Sequence, residues 1–355
     1  MITFDAHLDL SLNAVEYGRN LRQSAERIRK SEAGMTDLPG RRCGTVSFPE
    51  MRRANIALCV ATQIAGCMKP AAPVGAHDTP EEAWVATKRQ RAWYADMESL
   101  GELRQIRDWT QLWAHLADWE NAPEKTPIGY LLSLEGADSL RTLDDLDTAY
   151  EYGLRALGPA HYGMGRYAPG HDKEGRLPPE GIDLLKKMDE LGMILDVTHL
   201  SEQAMLQALE LYQGPIWASH HNCRTLVDDP RQLTDSQIKL LAQRGAVIGM
   251  AFDVWMVVAG WQRGATTHEH KPFANLEAAA DHVDHVCQLL GTTLHTGIGS
   301  DLDGGFGCEQ TPYGMDTIAN LNDFRSSLAR RGYSPKALDG IFCGNFLGFL
   351  KKAWS

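Results

Sequence analysis

Apolar runs of strand length alternate along this chain with amphipathic runs of helix length. Such alternation predicts βα units wound around a parallel sheet. Eight short runs read as strands, at 2–7, 56–64, 128–134, 154–160, 193–198, 216–219, 246–251 and 296–300. Between them apolar residues recur at helical spacing, notably over 80–100, 143–153, 179–191, 202–211, 235–244 and 276–290. Two more helices are predicted after the last strand, at 315–331 and 335–351. Eight strands with intervening helices predict an α/β fold, a (β/α)8 barrel of the TIM type. The whole of 1–355 is expected to be one barrel, with an insertion at about 13–54 and the two C-terminal helices appended. A helical stretch carrying Trp109, Trp113 and Trp119 precedes the third strand, and its indoles are expected to pack rather than bind.

Composition narrows the class without changing the fold. The chain is 43% hydrophobic and 23% charged, ordinary for a globular protein. A net charge of −11 argues against nucleic acid and against an anionic membrane surface as partners. No apolar run reaches the roughly 18 residues of a membrane span. Asp5 and His7 interrupt any signal-peptide core at the N-terminus. The seven cysteines, an odd number without a C-x-x-C pair, fit reduced thiols and speak against cysteine-held zinc. A cytoplasmic protein is therefore expected, with a homodimer left open.

In a barrel of this type the chemistry sits at the C-terminal ends of the strands. Those ends repeatedly terminate in metal-ligating side chains. The first strand ends in His7-x-Asp9, and alternate residues of a strand share a face. The third ends LLSLEGAD with Glu135, the fourth ALGPAHYG with His161, and the fifth MILDVTHLS with His199. The sixth ends PIWASHHN with His220 and His221, and the eighth TGIGSDLDGG with Asp301 and Asp303. Ionisable groups are seldom buried unless paired or metal-bound, so core packing is a poor account of such a ring. Two divalent cations about 3.5–4 Å apart can share a bridging carboxylate and a bridging hydroxide. Glu135 is the natural bridge: His7, Asp9 and Glu135 would hold one ion, and Glu135, His199 and His220 the other. Asp301 is left as a carboxylate placed to pass a proton to a leaving amine, and His161 as a donor to a developing oxyanion.

These residues and their contexts resemble the membrane (renal-type) dipeptidases, a branch of the amidohydrolase superfamily. The matching pieces are D-A-H-L-D, S-L-E-G, L-x-P-x-G followed by L-G-M-I-L-D-V-T-H-L-S, A-S-H-H-N and G-I-G-S-D-L-D-G, and the likeness extends to CGNFLGFL. The resemblance implies a (β/α)8 barrel with two zinc ions per chain bridged by Glu135. It implies His7 and Asp9 on the first ion, His199 and His220 on the second, and Asp301 as general acid/base. It further implies that His161 contacts the substrate and steadies the tetrahedral intermediate. Arg231, in DDPRQL, resembles the arginine that pairs with the substrate's terminal carboxylate, with Arg224 as a competitor. The implied reaction is hydrolysis of dipeptides, L,L and L,D, through a metal-bridged hydroxide. Without a secretion signal or a hydrophobic C-terminal tail, the chain resembles the soluble bacterial-type members. The competing readings are another amidohydrolase acting on N-acyl amino acids, cyclic amides or lactones, and a metal-binding protein without turnover.

The remaining polar features have plainer expectations. His268 and His270 fall in a polar segment expected to be a solvated loop. His282 and His285, one helical turn apart, are expected on the surface, and His221 behind the ligands or facing solvent. GGFG at 304–307 lacks the Lys-Ser/Thr of a phosphate loop and is expected to be an active-site loop. Asp253 and Trp255 are expected to line a pocket. No G-x-S-x-G elbow is present, which disfavours a serine hydrolase.

Overall fold

The computed structural model describes residues 1–67 and 74–354. All eight expected strands form, and a ninth short one joins them. They are β1 (Thr3–Leu8), β2 (Ile56–Ile64), β3 (Leu103–Gln105), β4 (Ile128–Glu135), β5 (Leu154–Gly158), β6 (Ile194–Asp196), β7 (Ile216–Trp217), β8 (Ile248–Met250) and β9 (Thr296–Ile298). Eight of them run β7-β6-β5-β4-β2-β1-β9-β8, every pair parallel. The ring closes where Ala218 bridges Ile248, with Gly249 N donating to Ala218 O at 2.9 Å. The result is the (β/α)8 barrel that the alternation of runs predicts. β3 stands outside the ring, on the first half of the β4 edge below β5, and has no counterpart in the expected strands.

Every residue of β1, β2 and β4 is buried. Helices cover the outside and side chains fill the inside, so these strands read as continuous apolar runs rather than alternating ones. The helix starts are legible for a local reason. Thr79, Asp108, Ser201, Thr234 and Asn275 each accept a hydrogen bond from a backbone N–H of the first turn that follows. The C-terminal expectations need correction. The helix expected at 315–331 starts late, at Leu321, after a 3-10 turn over Ile318–Asn320. The one expected at 335–351 breaks into Pro335–Asp339, a π turn over Gly340–Gly344, and Asn345–Ala353. Asn345 Nδ2 donates to Thr293 O and Thr296 O there, tying the widened turn to the base of β9. Of the tryptophans, Trp119 is buried and Trp109 packs against the core, but Trp113 is 66% exposed.

The segment between β1 and β2 is anchored by a buried carboxylate beyond β9. Asp303 accepts from Thr45 N and Thr45 Oγ1, both at 2.7 Å, and from Val46 N at 2.9 Å. Arg19 lies 3.3 Å from the same carboxylate and donates to Glu32 at 2.8 Å. Removing one partner from a buried charged network costs about 3–5 kcal/mol. Asp303→Ala should lose that much in urea unfolding, and a loss below about 1 kcal/mol, the scale of an exposed pair, would contradict the anchor.

His282 is not on the surface. Its Nδ1 accepts from Cys223 N at 3.1 Å and its Nε2 donates to Val257 O at 3.1 Å. Burial pushes its pKa down to about 4. Folded protein therefore keeps this ring neutral while the unfolded chain protonates it near pH 6.5. The stability it contributes is complete above pH 6.5 and is lost as pH falls toward 4, on the order of 3 kcal/mol. His282→Gln should flatten the acid limb of stability against pH, and an unchanged limb would contradict this. His285 does reach partial exposure, paired with Asp235 at 2.7 Å.

Candidate metal centre

The strand tips carry the site: His7 and Glu135 end their ladders, and His199, His220 and Asp301 follow theirs. His199 follows β6 with φ +68° and Asp301 follows β9 with φ +57°. Non-glycine residues in the left-handed region cost free energy, and such strain clusters at functional sites. Two buried aspartates hold these turns in place. Asp5 accepts from His7 N at 3.2 Å and Ser300 N at 2.8 Å, linking the β1 and β9 tips. Asp196 accepts from Thr198 N and Ser219 N, both at 3.1 Å, linking the β6 and β7 tips. Gly249 and Gly299 leave room beside Ser219 O, where a Cβ on either would collide with that carbonyl.

Glu135, at the end of β4, sits at the centre. Its Oε2 is 3.5 Å from His7 Nε2, and its Oε1 is 3.0 Å from His199 Nε2 and 3.5 Å from His220 Nε2. His7 Nε2 is 3.7 Å from Asp9 Oδ1 and 3.8 Å from Asp301 Oδ1. Three overlapping sets each bring their ligand atoms within 4.8 Å: His7, Asp9 and Glu135; Glu135, His199 and His220; His7, His220 and Asp301. The structure thus brings together all five residues expected as ligands. His161 stands beside them, its ring 4.5 Å from that of His199.

The donor chemistry suits a metal pair. His7 Nε2 is buried and has no hydrogen-bond partner. Burial, and then Arg231 for His199 and His7 for His220, hold both of those rings well below the ordinary imidazole pKa, in the neutral form that ligates. His220 Nδ1 is 2.8 Å from Ser219 Oγ and His199 Nδ1 is 3.2 Å from His171 Nδ1, so their far nitrogens are engaged and their Nε2 atoms point at Glu135. The acids are crowded. Burial and then Glu135 raise Asp9 to about 6, and burial raises Asp301 well above the carboxylate range. Burial also opposes ionisation of Glu135, but His7 outweighs it and holds the acid at about 2. Burial disfavours charge on His7, yet Glu135 and Asp9 lift it to about 10. Crowded carboxyls beside the neutral rings of His199 and His220, with a proton drawn onto His7, are what a bound cation relieves by taking that proton's place.

A cavity of about 530 Å³ opens over this centre, lined among others by Leu12, Ile64, His161, Trp255 and Phe306. Asp253 and Arg231 line it as well. Arg231 is 1% exposed, its Nη2 donates to His220 O at 2.9 Å, and its Nη1 has no partner. Arg224 does not line the cavity, and its guanidinium meets Glu202 at 3.0 Å instead. His221 is buried rather than solvent-facing, its N donating to Gly249 O at 2.7 Å. Asp5, Asp196 and His171 were not anticipated. The signal for Asp5 and Asp196 was present, since each is a lone acid inside an apolar strand.

Comparison with known proteins bears on the family and the fold. The sequence profile of the family described as membrane dipeptidase (peptidase family M19) matches residues 1–354. Among relatives, dipeptidase tcpJ of Claviceps purpurea is 28% identical over 232 residues, covering 63% of this chain and 51% of that protein. The chain spans about half the length of the curated dipeptidases it matches. A crystal structure of a dipeptidase, a metallo peptidase of family M19, superposes with a TM-score of 0.77 at 23% identity, covering 100% of this chain and 99% of that one. A metallo peptidase from Rhodobacter sphaeroides, liganded with a phosphinate mimic of L-Ala-D-Ala, superposes with a TM-score of 0.76 at 22% identity, covering 100% and 99%. No helix among the described residues is long and apolar enough to cross a membrane. The chain belongs to the membrane dipeptidase family, peptidase family M19.

Proposed function

We propose that the chain hydrolyses dipeptides, L,L and L,D, at a two-zinc centre. His7, Asp9 and Glu135 would hold one ion, and Glu135, His199 and His220 the other. The observation that carries this is the convergence of both imidazole sets on the two oxygens of Glu135, within 3.0–3.5 Å. Bound there, the metal pair supplies Lewis acidity toward the scissile carbonyl and acidifies a water.

The chain's own groups do the rest. Asp301 Oδ1, 3.8 Å from His7 Nε2 at the edge of the centre, takes a proton from the attacking water and delivers it to the departing amine. His161 is buried and its pKa is lowered by that burial, so it donates as a neutral imidazole to the developing oxyanion. Arg231 offers its unpartnered Nη1 to the substrate's terminal carboxylate. The phosphinate ligand of the Rhodobacter sphaeroides peptidase supports including L,D substrates.

Arg231→Lys keeps the charge but loses the planar fork. It should raise KM for dipeptides about 10–100-fold, the 1–3 kcal/mol of one charge-assisted hydrogen bond, with a smaller change in kcat. An unchanged KM would take Arg231 out of substrate binding. The reaction itself is tested by a panel of L,L and L,D dipeptides against N-acetyl amino acids. Amine release confined to the dipeptides is expected, and turnover confined to the N-acetyl compounds would replace this reading.

A further inference from the structure

Away from the metal centre, two cysteines meet where two loops of the cavity wall come together. Cys43 lies in the segment between β1 and β2, and Cys308 in the loop after β9. Cys308 N donates to Cys43 O at 2.8 Å. Their sulfurs and a Glu309 carboxylate oxygen all lie within 4.8 Å of one another. A Cβ on Gly307 would collide with both the backbone and the Cβ of Cys43, so the two chains run in direct contact. Both cysteines are partly accessible. The loops they join form cavity wall: Pro39 and Gly40 on one side, Gly304, Phe306 and Glu309 on the other.

We propose that Cys43 and Cys308 are a redox-active dithiol that a low-molecular-weight disulfide converts to an intramolecular disulfide, fastening the two loops together over the cavity. Sulfurs within 4.8 Å of one another on hydrogen-bonded backbones lie within reach of a disulfide. Cys308 attacks first. The hydrogen bond from Cys43, and then the Arg29 guanidinium, hold its thiol below the ordinary range, whereas that same pairing and burial push Cys43 up. The Cys308 thiolate breaks the S–S bond of the small disulfide, forms a mixed disulfide, and one small thiolate leaves and takes up the proton Cys308 lost. Cys43 Sγ, deprotonated in turn, attacks Cys308 Sγ, and the second small thiolate leaves with that proton. Two electrons pass from the dithiol to the small disulfide, which ends as two thiols.

The test uses reduced full-length protein treated with oxidised glutathione, alkylated, and mapped by mass spectrometry without reduction. Its readouts do not depend on peptidase activity, so it stands apart from the proposed reaction. The expected result is a peptide pair joined through Cys43 and Cys308, two of the seven thiols lost, and full reversal by dithiothreitol. Amide exchange over 36–44 and 304–310 should slow on oxidation. Cys43→Ser should instead retain glutathione on Cys308 and show no slowing. Both residues alkylated in treated wild type, glutathione left on wild-type Cys308, or a linked pair with unchanged exchange would each overturn the proposal.

Discussion

Glu135→Gln is expected to give a folded protein that no longer holds its metal pair and hydrolyses dipeptides hardly above background. Among the described residues, this carboxylate alone presents one oxygen to His7, at 3.5 Å, and the other to His199 and His220, at 3.0 and 3.5 Å. An amide keeps the shape but removes the negative charge and places an N–H donor where a lone pair is needed. Even outlying groups around a metal cost about 10–100-fold in affinity when removed, so a bridging ligand should cost more. Turnover should fall about a thousandfold or more, the rate equivalent of the several kcal/mol a catalytic metal supplies. Circular dichroism separates this from unfolding. A variant that keeps both ions and wild-type turnover would end the bridging role.

Asp301→Asn is expected to separate the two readouts: metal retained, kcat down about 10²–10⁴-fold, the usual worth of a positioned general acid/base. Asparagine is the right replacement because Asp301 sits at φ +57°, a region that asparagine tolerates well. The amide cannot carry the proton, while its size leaves the β9 tip undisturbed. The measurement also decides a real alternative. Asp301 comes within ligand range of His7 and His220 as well. If metal content falls in step with kcat, Asp301 belongs among the ligands and the proton passes elsewhere.

Most of the site was legible in the sequence because a parallel barrel turns linear order into geometry. Each apolar run ends at the same face, so residues following separate strands, such as His7, Glu135, His199 and His220, must converge. Helix starts were legible through their capping side chains. What the sequence hides depends on partners distant along the chain. Arg231 rather than Arg224 meets the cavity, and Arg224, in the turns after β7, engages Glu202 at the start of the helix Glu202–Leu211 instead. His282 reads as surface on its own helix, yet Cys223 and Val257 bury it. β3 exists only because the β4 edge below β5 is open to pair. The left-handed turns at His199 and Asp301 lack glycine, the usual marker, and are held by Asp5 and Asp196 across neighbouring strands.

The account rests on a metal pair that does hydrolytic work. The most direct measurement is metal content of the purified protein by mass spectrometry, paired with alanine release from L-Ala-L-Ala and L-Ala-D-Ala. The prediction is about two zinc ions per chain, as in other two-metal hydrolases, with alanine released from both substrates. No bound metal after zinc is added back, or turnover that survives complete chelation, would contradict it.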